Sequence, residues 1–364
     1  MPLRKVIISG GGTGGHIFPA IAIANELKKQ DPTIEILFVG AIGKMEMEKV
    51  PAAGYKIEGL WISGLQRKLT IKNLSFPFKV ISSLLRARKI LRQFKPDAVI
   101  GVGGFASGPM LRAAAGKGIP TIIQEQNSYP GITNKILSKK VRKICVAYEG
   151  LEKWFPKEKI VLTGNPVREE IVKLEGKRER GIEHFGWNTS ASTLLIIGGS
   201  LGARTINEAI ELNLPLLKEN NIQVIWQTGK GFFERAKQSA STFSNVKVFD
   251  FIVRMDLAYA VADVVVSRAG AISVSELCLV KKPCILIPSP NVAEDHQTKN
   301  AMALVNHHAA ILVKDVDAKE KLGETMKMLF TNQEEQNKLR NNIASLGFNN
   351  STQAIVAVIK ETVK

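Results

Sequence analysis

Residues able to bind an anion and to move a proton lie together near the start of the chain. Five of the six residues from Gly10 to Gly15 are glycine, Thr13 is the exception, and His16 follows directly. The run separates an apolar stretch typical of a buried strand from a stretch of helical length, Phe18 to Lys29. Backbone N–H groups and the helix dipole bind phosphate at such junctions, and glycine is needed because a Cβ would hold the anion away. The segment therefore predicts a phosphate or diphosphate site rather than a turn that is glycine-rich only for tight packing.

The same residues match a second pattern, Gly10-x-Gly12-x-x-Gly15, which is typical of dinucleotide binding. That interpretation requires an acidic residue at the end of the next strand, where it would bind the ribose hydroxyls. The strand ends instead in Phe38-Val39-Gly40. A nicotinamide cofactor is therefore disfavoured, and no cofactor is predicted.

Two later junctions repeat the arrangement. The segment Gly198 to Ala203 includes Ser200, whose hydroxyl could bond a phosphate oxygen. The segment Ser267 to Glu276 offers more N–H groups, and the carboxylate of Glu276 suits a pair of ribose hydroxyls. A solvent-exposed helix glutamate is the alternative interpretation of Glu276. Two anion sites in two similar halves indicate an enzyme with a cleft.

Short apolar runs separated by segments of helical length occur in two series, which is typical of doubly wound α/β domains with parallel sheets. The first series comprises Lys5 to Ile8, Ile34 to Val39, Ala98 to Val102, Thr121 to Ile123 and Ile144 to Ala147. The second comprises Thr193 to Ile197, Gln223 to Gln227, Val246 to Phe249, Ala262 to Val266 and Cys284 to Ile287. The turn-forming segment Gly164 to Arg168 lies between them. We therefore expect a first domain over residues 1–163 and a second over residues 164–340, with a helix over residues 341–364 that packs back on the first.

Length and composition agree with two folded domains. The chain has 364 residues, of which 45% are hydrophobic and 23% charged, and its formal net charge is +17. At about 150 residues per domain, two domains are expected, and the positive charge indicates an anionic partner. Three cysteines without a CxxC pair favour neither a disulfide framework nor a zinc cluster. Since no apolar run exceeds six residues, neither a signal peptide nor a membrane span is predicted, and a cytoplasmic protein is expected.

Seven motifs, in order along nearly the whole chain, closely resemble the MurG family of bacterial glycosyltransferases. They are Gly-Gly-Thr-Gly-Gly-His at 11–16, Gly-Val-Gly-Gly-Phe at 101–105, Glu-Gln-Asn at 125–127, Gly-Asn-Pro-Val-Arg at 164–168, Gly-Gly-Ser-x-Gly-Ala at 198–203, Ser-Arg-x-Gly-Ala at 267–271 and Asp-His-Gln at 295–297. The resemblance implies a GT-B fold, with two Rossmann-like domains facing a cleft. It implies an inverting transfer of N-acetylglucosamine from UDP-N-acetylglucosamine to the muramoyl 4-hydroxyl of lipid I, which gives lipid II for peptidoglycan. The first domain would bind the lipid acceptor and the second the UDP-sugar.

The resemblance also implies roles for individual residues. Ser200 and Arg168 would lie near the diphosphate, Ile252 would offer its backbone to uracil, Glu276 would bind the ribose and Gln297 the sugar hydroxyls. The donor-side helix would begin with Ala271, Ile272, Ser273, Val274 and Ser275, and Thr13, Gly14, Gly15 and Asn127 would contact the donor from the first domain. Leu201 and Phe105 replace polar or phenolic side chains of some relatives, so no contact is assigned to either.

Inversion requires a base for the attacking hydroxyl, and His16 is the candidate. Binding of the acceptor diphosphate, or capping of the turn, is the alternative for His16. Prepositioned N–H donors can stabilise the departing diphosphate, so no metal site is predicted. The one Asp-x-Asp sequence, Asp315 to Asp317, is interpreted as a solvated turn.

A basic segment predicts contact with an anionic phospholipid surface. Nine basic residues and no acidic one lie between Glu58 and Asp97. Phe78, Ile81 and Leu85 are spaced as one helical stripe, and the alternative is that this stripe packs on the core. The residues predicted to contact the membrane are Leu74, Phe78, Ile81, Leu85, Lys72, Lys79, Arg86, Lys139 and Lys140. With a lipid-linked acceptor, they suggest a peripheral protein on the cytoplasmic face of the plasma membrane.

Other functions fit less of the sequence. The net charge alone would suit a nucleic-acid binder, but the glycine turns would then be unexplained, and no nucleic-acid partner is predicted. A UDP-N-acetylglucosamine epimerase or a diacylglycerol glycosyltransferase would share the fold, and fold alone does not set function.

Overall fold

The computed structural model describes residues 3–64, 75–167, 169–187, 191–199 and 201–364. The chain forms two compact units. The first comprises Met1–Val167 and Asn350–Lys364, and the second comprises Arg168–Asn349. The division falls after Val167, inside the turn-forming segment that begins at Gly164.

The first unit contains a seven-stranded parallel sheet. Its strands are β1 (Lys5–Ser9), β2 (Glu35–Ala41), β3 (Lys56–Leu60), β4 (Ala98–Gly101), β5 (Thr121–Glu125), β6 (Lys143–Val146) and β7 (Ile160–Leu162). They lie in the order β3-β2-β1-β4-β5-β6-β7, so the chain winds outward from β1 in both directions. The helices of this unit are α1 (Gly14–Gln30), α2 (Glu46–Ala52), α3 (Phe76–Phe94), α4 (Ser107–Ala115), α5 (Ile132–Leu137) and α16 (Ser351–Val363).

The side chains of β1 fill the core on both faces of this sheet. Ile7 belongs to one buried cluster, with Val99 of β4, whereas Val6 and Ile8 belong to a second cluster that includes Ile355 of α16. Successive side chains of a strand point to opposite faces, so a run of apolar residues is required where both faces are covered. This is why the apolar runs predicted the strands.

The second unit contains a six-stranded parallel sheet in the order β10-β9-β8-β11-β12-β13. Its strands are β8 (Thr193–Ile197), β9 (Gln223–Gln227), β10 (Val246–Phe249), β11 (Val264–Ser267), β12 (Cys284–Leu286) and β13 (Ile311–Leu312). Its helices are α6 (Glu169–Val172), α7 (Arg178–His184), α8 (Arg204–Leu212), α9 (Leu214–Glu219), α10 (Phe233–Ala240), α11 (Met255–Val261), α12 (Ala271–Val280), α13 (His296–Val305), α14 (Ala318–Thr331) and α15 (Gln333–Ser345). The prediction of two doubly wound, Rossmann-like domains is confirmed.

Three strands are absent from the predicted set: β3, β7 and β13. Each lies at the edge of its sheet. Their residues are mostly half-buried or exposed, and β13 has only two of them. Strand β3 has no continuous apolar run, which is the signal that identified the inner strands, whereas Ile160–Leu162 of β7 and Ile311–Leu312 of β13 are short apolar runs that were not predicted as strands.

The C-terminal segment differs from the single helix expected over residues 341–364. Helix α15 ends at Ser345 and stays with the second unit, and α16 begins at Ser351 and packs with the first. Gly347 lies in the break, where a methyl group would approach the Cys278 carbonyl oxygen to 3.2 Å. The break lets the chain return to the first unit, where Ile355 and Ile359 are fully buried.

Candidate functional site

The first glycine turn joins β1 to α1 as predicted, but the helix begins at Gly14, earlier than expected. The N–H of Gly10 donates to the Val39 carbonyl over 3.1 Å, and that of Gly11 donates to the Gly103 carbonyl over 3.3 Å. A methyl group on Gly104 would lie 2.3 Å from the Gly11 carbonyl oxygen. The turns after β1 and β4 therefore pack backbone against backbone, an approach that only glycine permits at Gly104.

The carboxylate of Glu46, which was not predicted from the sequence, accepts a hydrogen bond from this turn. Glu46, the first residue of α2, is 1% exposed. Its Oε2 accepts from the Gly12 N–H at 2.8 Å, and its Oε1 accepts from the Ala41 N–H at 2.9 Å. A lone glutamate at the start of a short helix gives no sequence signal of this role.

His16 lies in the first turn of α1 and is half-buried. Its Nδ1 is 3.1 Å from the Gly11 carbonyl oxygen and 3.2 Å from Thr13 Oγ1. Because a carbonyl oxygen only accepts, the hydrogen bond to Gly11 requires the proton on Nδ1, and the lone pair of the neutral ring is then on Nε2. A methyl group on Gly103 would be 2.8 Å from Nε2, so this glycine leaves room for the imidazole ring.

Asn127 follows β5 and is oriented by a buried carboxylate. Glu125 Oε1 accepts from both the backbone N–H and the side-chain amide of Asn127, at 3.0 and 3.2 Å. Its Oε2 accepts from the Gly131 N–H at 3.1 Å and from Asn134 Nδ2 at 2.8 Å. Glu125 thus fixes the loop that carries Asn127, a role not predicted for it.

In the second unit, the glycine turn after β8 packs on the turn after β9. Gly202 has φ +80°, and a methyl group there would lie 2.0 Å from the Thr228 carbonyl oxygen. A methyl group on Gly229 would lie 2.5 Å from the Gly202 nitrogen. Leu201 is exposed at the tip. The predicted contacts of Ser200 and Arg168 fall outside the described residues.

Gln227, at the end of β9, connects two segments of the predicted donor site. Its side-chain amide donates to the Gly199 carbonyl over 3.1 Å, and its Oε1 accepts from the Ile252 N–H at 3.0 Å. The backbone donor of Ile252 is therefore bonded within the protein. The predicted contact of Ile252 with a nucleobase would therefore be made by its carbonyl oxygen, unless the N–H changes its hydrogen-bond partner.

Helix α12 begins at Ala271, as predicted, with Gly270 preceding it. Ile272 and Ser273 are half-buried, Val274 is buried, and Ser275 Oγ donates to the Ala271 carbonyl over 3.0 Å. Glu276 is 7% exposed, and its Oε2 accepts from the Tyr259 hydroxyl at 3.0 Å. The alternative interpretation of Glu276 as a solvent-exposed glutamate is therefore wrong.

Gln297 lies in the first turn of α13, where its Oε1 accepts from the Ser289 N–H at 2.9 Å.

The interpretation of Asp315 as part of a solvated turn is wrong. Asp315 accepts from Arg268 Nη1 and, over 3.0 Å, from Thr205 Oγ1, and its side chain is mostly buried. Arg268 also donates to the Ile287 carbonyl over 3.0 Å, so this ion pair ties the strand ends to α8 and the residues before α14.

The predicted apolar stripe of α3 faces solvent. Phe78, Ile81 and Leu85 are 70%, 58% and 59% exposed, while Ala87 and Ile90 are buried. The alternative that the stripe packs on the core is therefore wrong.

The basic residues predicted to contact the membrane have different surroundings. Lys79 Nζ donates to Ser63 Oγ over 3.0 Å and lies 5.7 Å from the centre of the Trp61 ring, and Arg86 pairs with Glu58. Lys139 and Lys140 are exposed after α5, and Lys72 and Leu74 fall outside the described residues. Across the described part of the chain, no helix is long and apolar enough to cross a membrane.

Comparison with known proteins places these features in a family. The model of the glycosyltransferase family 28 N-terminal domain matches residues 6–146, and that of the family 28 C-terminal domain matches residues 193–355. The chain is 58% identical over 366 residues to the UDP-N-acetylglucosamine--N-acetylmuramyl-(pentapeptide) pyrophosphoryl-undecaprenol N-acetylglucosamine transferase of Cytophaga hutchinsonii, covering 100% of this chain and 99% of that protein.

Solved structures extend the comparison. The structure of MurG from Acinetobacter baumannii is 29% identical, with a TM-score of 0.80 over 98% of this chain and 99% of that one. A UDP-GlcNAc 2-epimerase from Neisseria meningitidis, 17% identical with a TM-score of 0.68 over 99% of both chains, shares the fold alone. The resemblance predicted from the seven motifs is confirmed, and the chain belongs to glycosyltransferase family 28 and, within it, to the MurG family.

Proposed function

We propose that this chain transfers N-acetylglucosamine from UDP-N-acetylglucosamine to the 4-hydroxyl of the muramoyl sugar of lipid I, with inversion, and so produces lipid II. The observation that carries the proposal is the 58% identity, over the full length of both chains, to the Cytophaga hutchinsonii transferase. The name of that transferase specifies the sugar donor and the undecaprenyl-linked acceptor.

In this proposal His16 is the base. As the acceptor hydroxyl attacks the anomeric carbon, its proton must be taken up, and a neutral imidazole with its lone pair on Nε2 can accept it. The hydrogen bond from Nδ1 to the Gly11 carbonyl supports this assignment, because it favours the tautomer that leaves Nε2 unprotonated.

The second unit would bind the donor. Negative charge grows on the β-phosphate as the C–O bond breaks, and backbone N–H groups at the start of α12, together with Ser200 and Arg168, would stabilise it. Glu276 would accept hydrogen bonds from the ribose hydroxyls, and Gln297 would bond the transferred sugar. The burial of Glu276 supports its role, since a buried carboxylate bonds a hydroxyl pair with little competition from water.

The chain would meet its lipid-linked acceptor by docking on the membrane surface through α3, as a peripheral protein of the cytoplasmic face. The exposed side chains of Phe78, Ile81 and Leu85 support this, and the cations would be Lys79 and Arg86 of the same helix together with Lys139 and Lys140 after α5. A basic side chain near an anionic membrane contributes about 1 kcal/mol, so several give reversible binding.

The test is the transfer of radiolabel from UDP-N-acetylglucosamine into the lipid phase with lipid I present and EDTA added. We expect transfer that depends on lipid I, persists in EDTA and is strongly reduced in His16→Ala and Glu276→Ala. Label that enters diacylglycerol instead would assign the other lipid glycosyltransferase activity. Conversion of the donor sugar to its epimer without any acceptor would assign the epimerase activity.

A further inference from the structure

We propose that Glu46 is a positioning residue for His16 and acts on it through the peptide group that joins Gly11 to Gly12. The inference deepens the proposed function, because it rests on His16 as the base. The Glu46 side chain is too deeply buried to reach a substrate.

Glu46 is held at both carboxylate oxygens. Its Oε1 accepts from the Ala41 N–H at the end of β2, and its Oε2 accepts from the Gly12 N–H, at 2.9 and 2.8 Å. Two backbone donors on different segments fix the plane of the carboxylate. Hydrogen bonds from N–H groups to an ionised acceptor are short and about twice as strong as neutral ones.

The opposite end of the same peptide group contacts His16. The Gly12 N–H and the Gly11 carbonyl belong to one peptide bond, and in a trans peptide they point in opposite directions. The carbonyl oxygen is 3.1 Å from His16 Nδ1. A continuous series therefore runs from the Glu46 carboxylate, through the peptide, to the imidazole.

Hydrogen bonds in such a series strengthen each other. The carboxylate attracts the Gly12 proton, the peptide polarises, and the Gly11 oxygen becomes a better acceptor for the Nδ1 proton. A buried aspartate does this directly in the Ser-His-Asp triad, where it fixes the histidine tautomer and stabilises the imidazolium that forms. Here a peptide group separates the acid from the imidazole, and the result is the same tautomer.

The space that Glu46 occupies explains why Gly11 and Gly40 are glycines. A methyl group on Gly11 would lie 2.2 Å from Glu46 Cδ, and one on Gly40 would lie 2.4 Å from Glu46 Cγ. Strand β2 therefore carries glycine, and no acid of its own, at the position where a dinucleotide-binding domain needs one. The volume beside that position is filled by the carboxylate of Glu46.

The test combines Glu46→Gln with the nitrogen-15 spectrum of the histidine side chains, measured where imidazole is neutral. The chain has five histidines, and His16→Gln identifies the signals of His16. In the wild-type protein we expect the Nδ1–H tautomer. In Glu46→Gln the side-chain NH₂ must face one of the two N–H donors, so the peptide shifts and the Nε2–H tautomer grows.

The same variant should lower kcat for transfer to lipid I by about 10- to 100-fold, by analogy with the loss found when the hydrogen-bond partner of a metal-binding histidine is removed. KM for UDP-N-acetylglucosamine should change less than kcat, since Glu46 itself contacts no donor group. The matched control is Glu26→Gln, which replaces another buried glutamate of the first unit, bonded to Gln30. The control should leave both the His16 signals and kcat as in the wild type.

A wild-type His16 in the Nε2–H tautomer would overturn the proposal without any variant, and so would a folded Glu46→Gln protein with wild-type His16 signals. If wild-type protein transfers no sugar to lipid I, the proposed function fails. The tautomer measurement still decides whether Glu46 positions His16.

Discussion

Tyr259 donates its hydroxyl hydrogen to Glu276 Oε2 over 3.0 Å, and both side chains are buried. Tyr259 lies on α11 and Glu276 on α12, so the bond fixes a carboxylate of one helix from another. A carboxylate held in one orientation loses less side-chain entropy when it binds a ligand. The Tyr259 hydroxyl therefore holds the Glu276 carboxylate in one orientation before the proposed ribose binds.

Tyr259→Phe should raise KM for UDP-N-acetylglucosamine by about two- to tenfold, equivalent to the 0.5–1.5 kcal/mol of one hydrogen bond. We expect a smaller change in kcat, because the reacting atoms are untouched. Initial rates at saturating lipid I measure both constants. The control is Tyr55→Phe, which removes a hydroxyl bonded to Asn25 in the first unit. An unchanged KM would show that Glu276 binds the donor equally well without the Tyr259 hydroxyl.

Gly202→Ala should destabilise the second unit and abolish donor binding. The added methyl group would lie 2.0 Å from a carbonyl oxygen, and φ is +80°. Strain of this kind costs at least about 1–3 kcal/mol. Urea unfolding and calorimetric titration with UDP measure the two effects. Gly231→Ala is the control, because a methyl group there would meet no atom within 4 Å. Normal UDP binding by Gly202→Ala would contradict the close approach of the two turns.

Replacement of Phe78, Ile81 and Leu85 by serine should remove most of the binding to vesicles of anionic phospholipid. Each such side chain contributes about 1.5–3 kcal/mol when fully buried. The free energy of unfolding should change little, because the three side chains are exposed in the folded protein. Sedimentation with vesicles measures binding. Leu212→Ser, at an exposed leucine of the second unit, is the control. Undiminished sedimentation of the triple variant would exclude α3 as the docking surface.

Asp256→Asn should destabilise the protein at neutral pH by about 1.5–3 kcal/mol, the contribution of hydrogen bonds to a charged group. The bidentate hydrogen bond from Arg254 and the ion pair with Lys177 hold the pKa of the Asp256 carboxyl well below its usual range.

The pH dependence of that effect follows from the lowered pKa. Because the pKa in the folded state is depressed, the stabilisation is complete above the ordinary aspartate pKa of about 4 and is lost as the pH falls below it. The stability difference between wild type and Asp256→Asn should therefore shrink in urea unfolding from neutral pH to about pH 3. Glu324→Gln, at an exposed position of α14, should show no such trend. A constant difference would assign the effect to packing instead.

The glycine turns could be predicted because their signal is local: a strand, a run of glycines and a helix follow one another in the chain. The residues that orient them could not. Glu46 reaches Gly12 from 34 positions away, and Gln227 reaches Ile252 from 25. Such contacts form only when the parallel strands pair, because the pairing brings segments that are distant in the sequence to the same edge of the sheet.

The exposure of the α3 stripe could not be predicted either. Helical spacing of Phe78, Ile81 and Leu85 shows that they share a face, but it does not show which face the domain covers. The buried face is lined by Ser83, Ala87, Ile90 and Leu91, which are also spaced as one helical face. Of the edge strands that were not predicted, only β3 lacks a continuous apolar run, whereas β7 and β13 have one but are only three and two residues long.

The return of α16 to the first unit has a consequence for biosynthesis. During translation, residues 3–167 leave the ribosome with one side of their sheet lacking the helix that contributes Ile355 and Ile359. At about 5–20 residues per second, synthesis of residues 168–349 takes about 10–40 s before that helix emerges. The core of the N-terminal unit is therefore complete only after α16 has been translated, although most of that unit is made first.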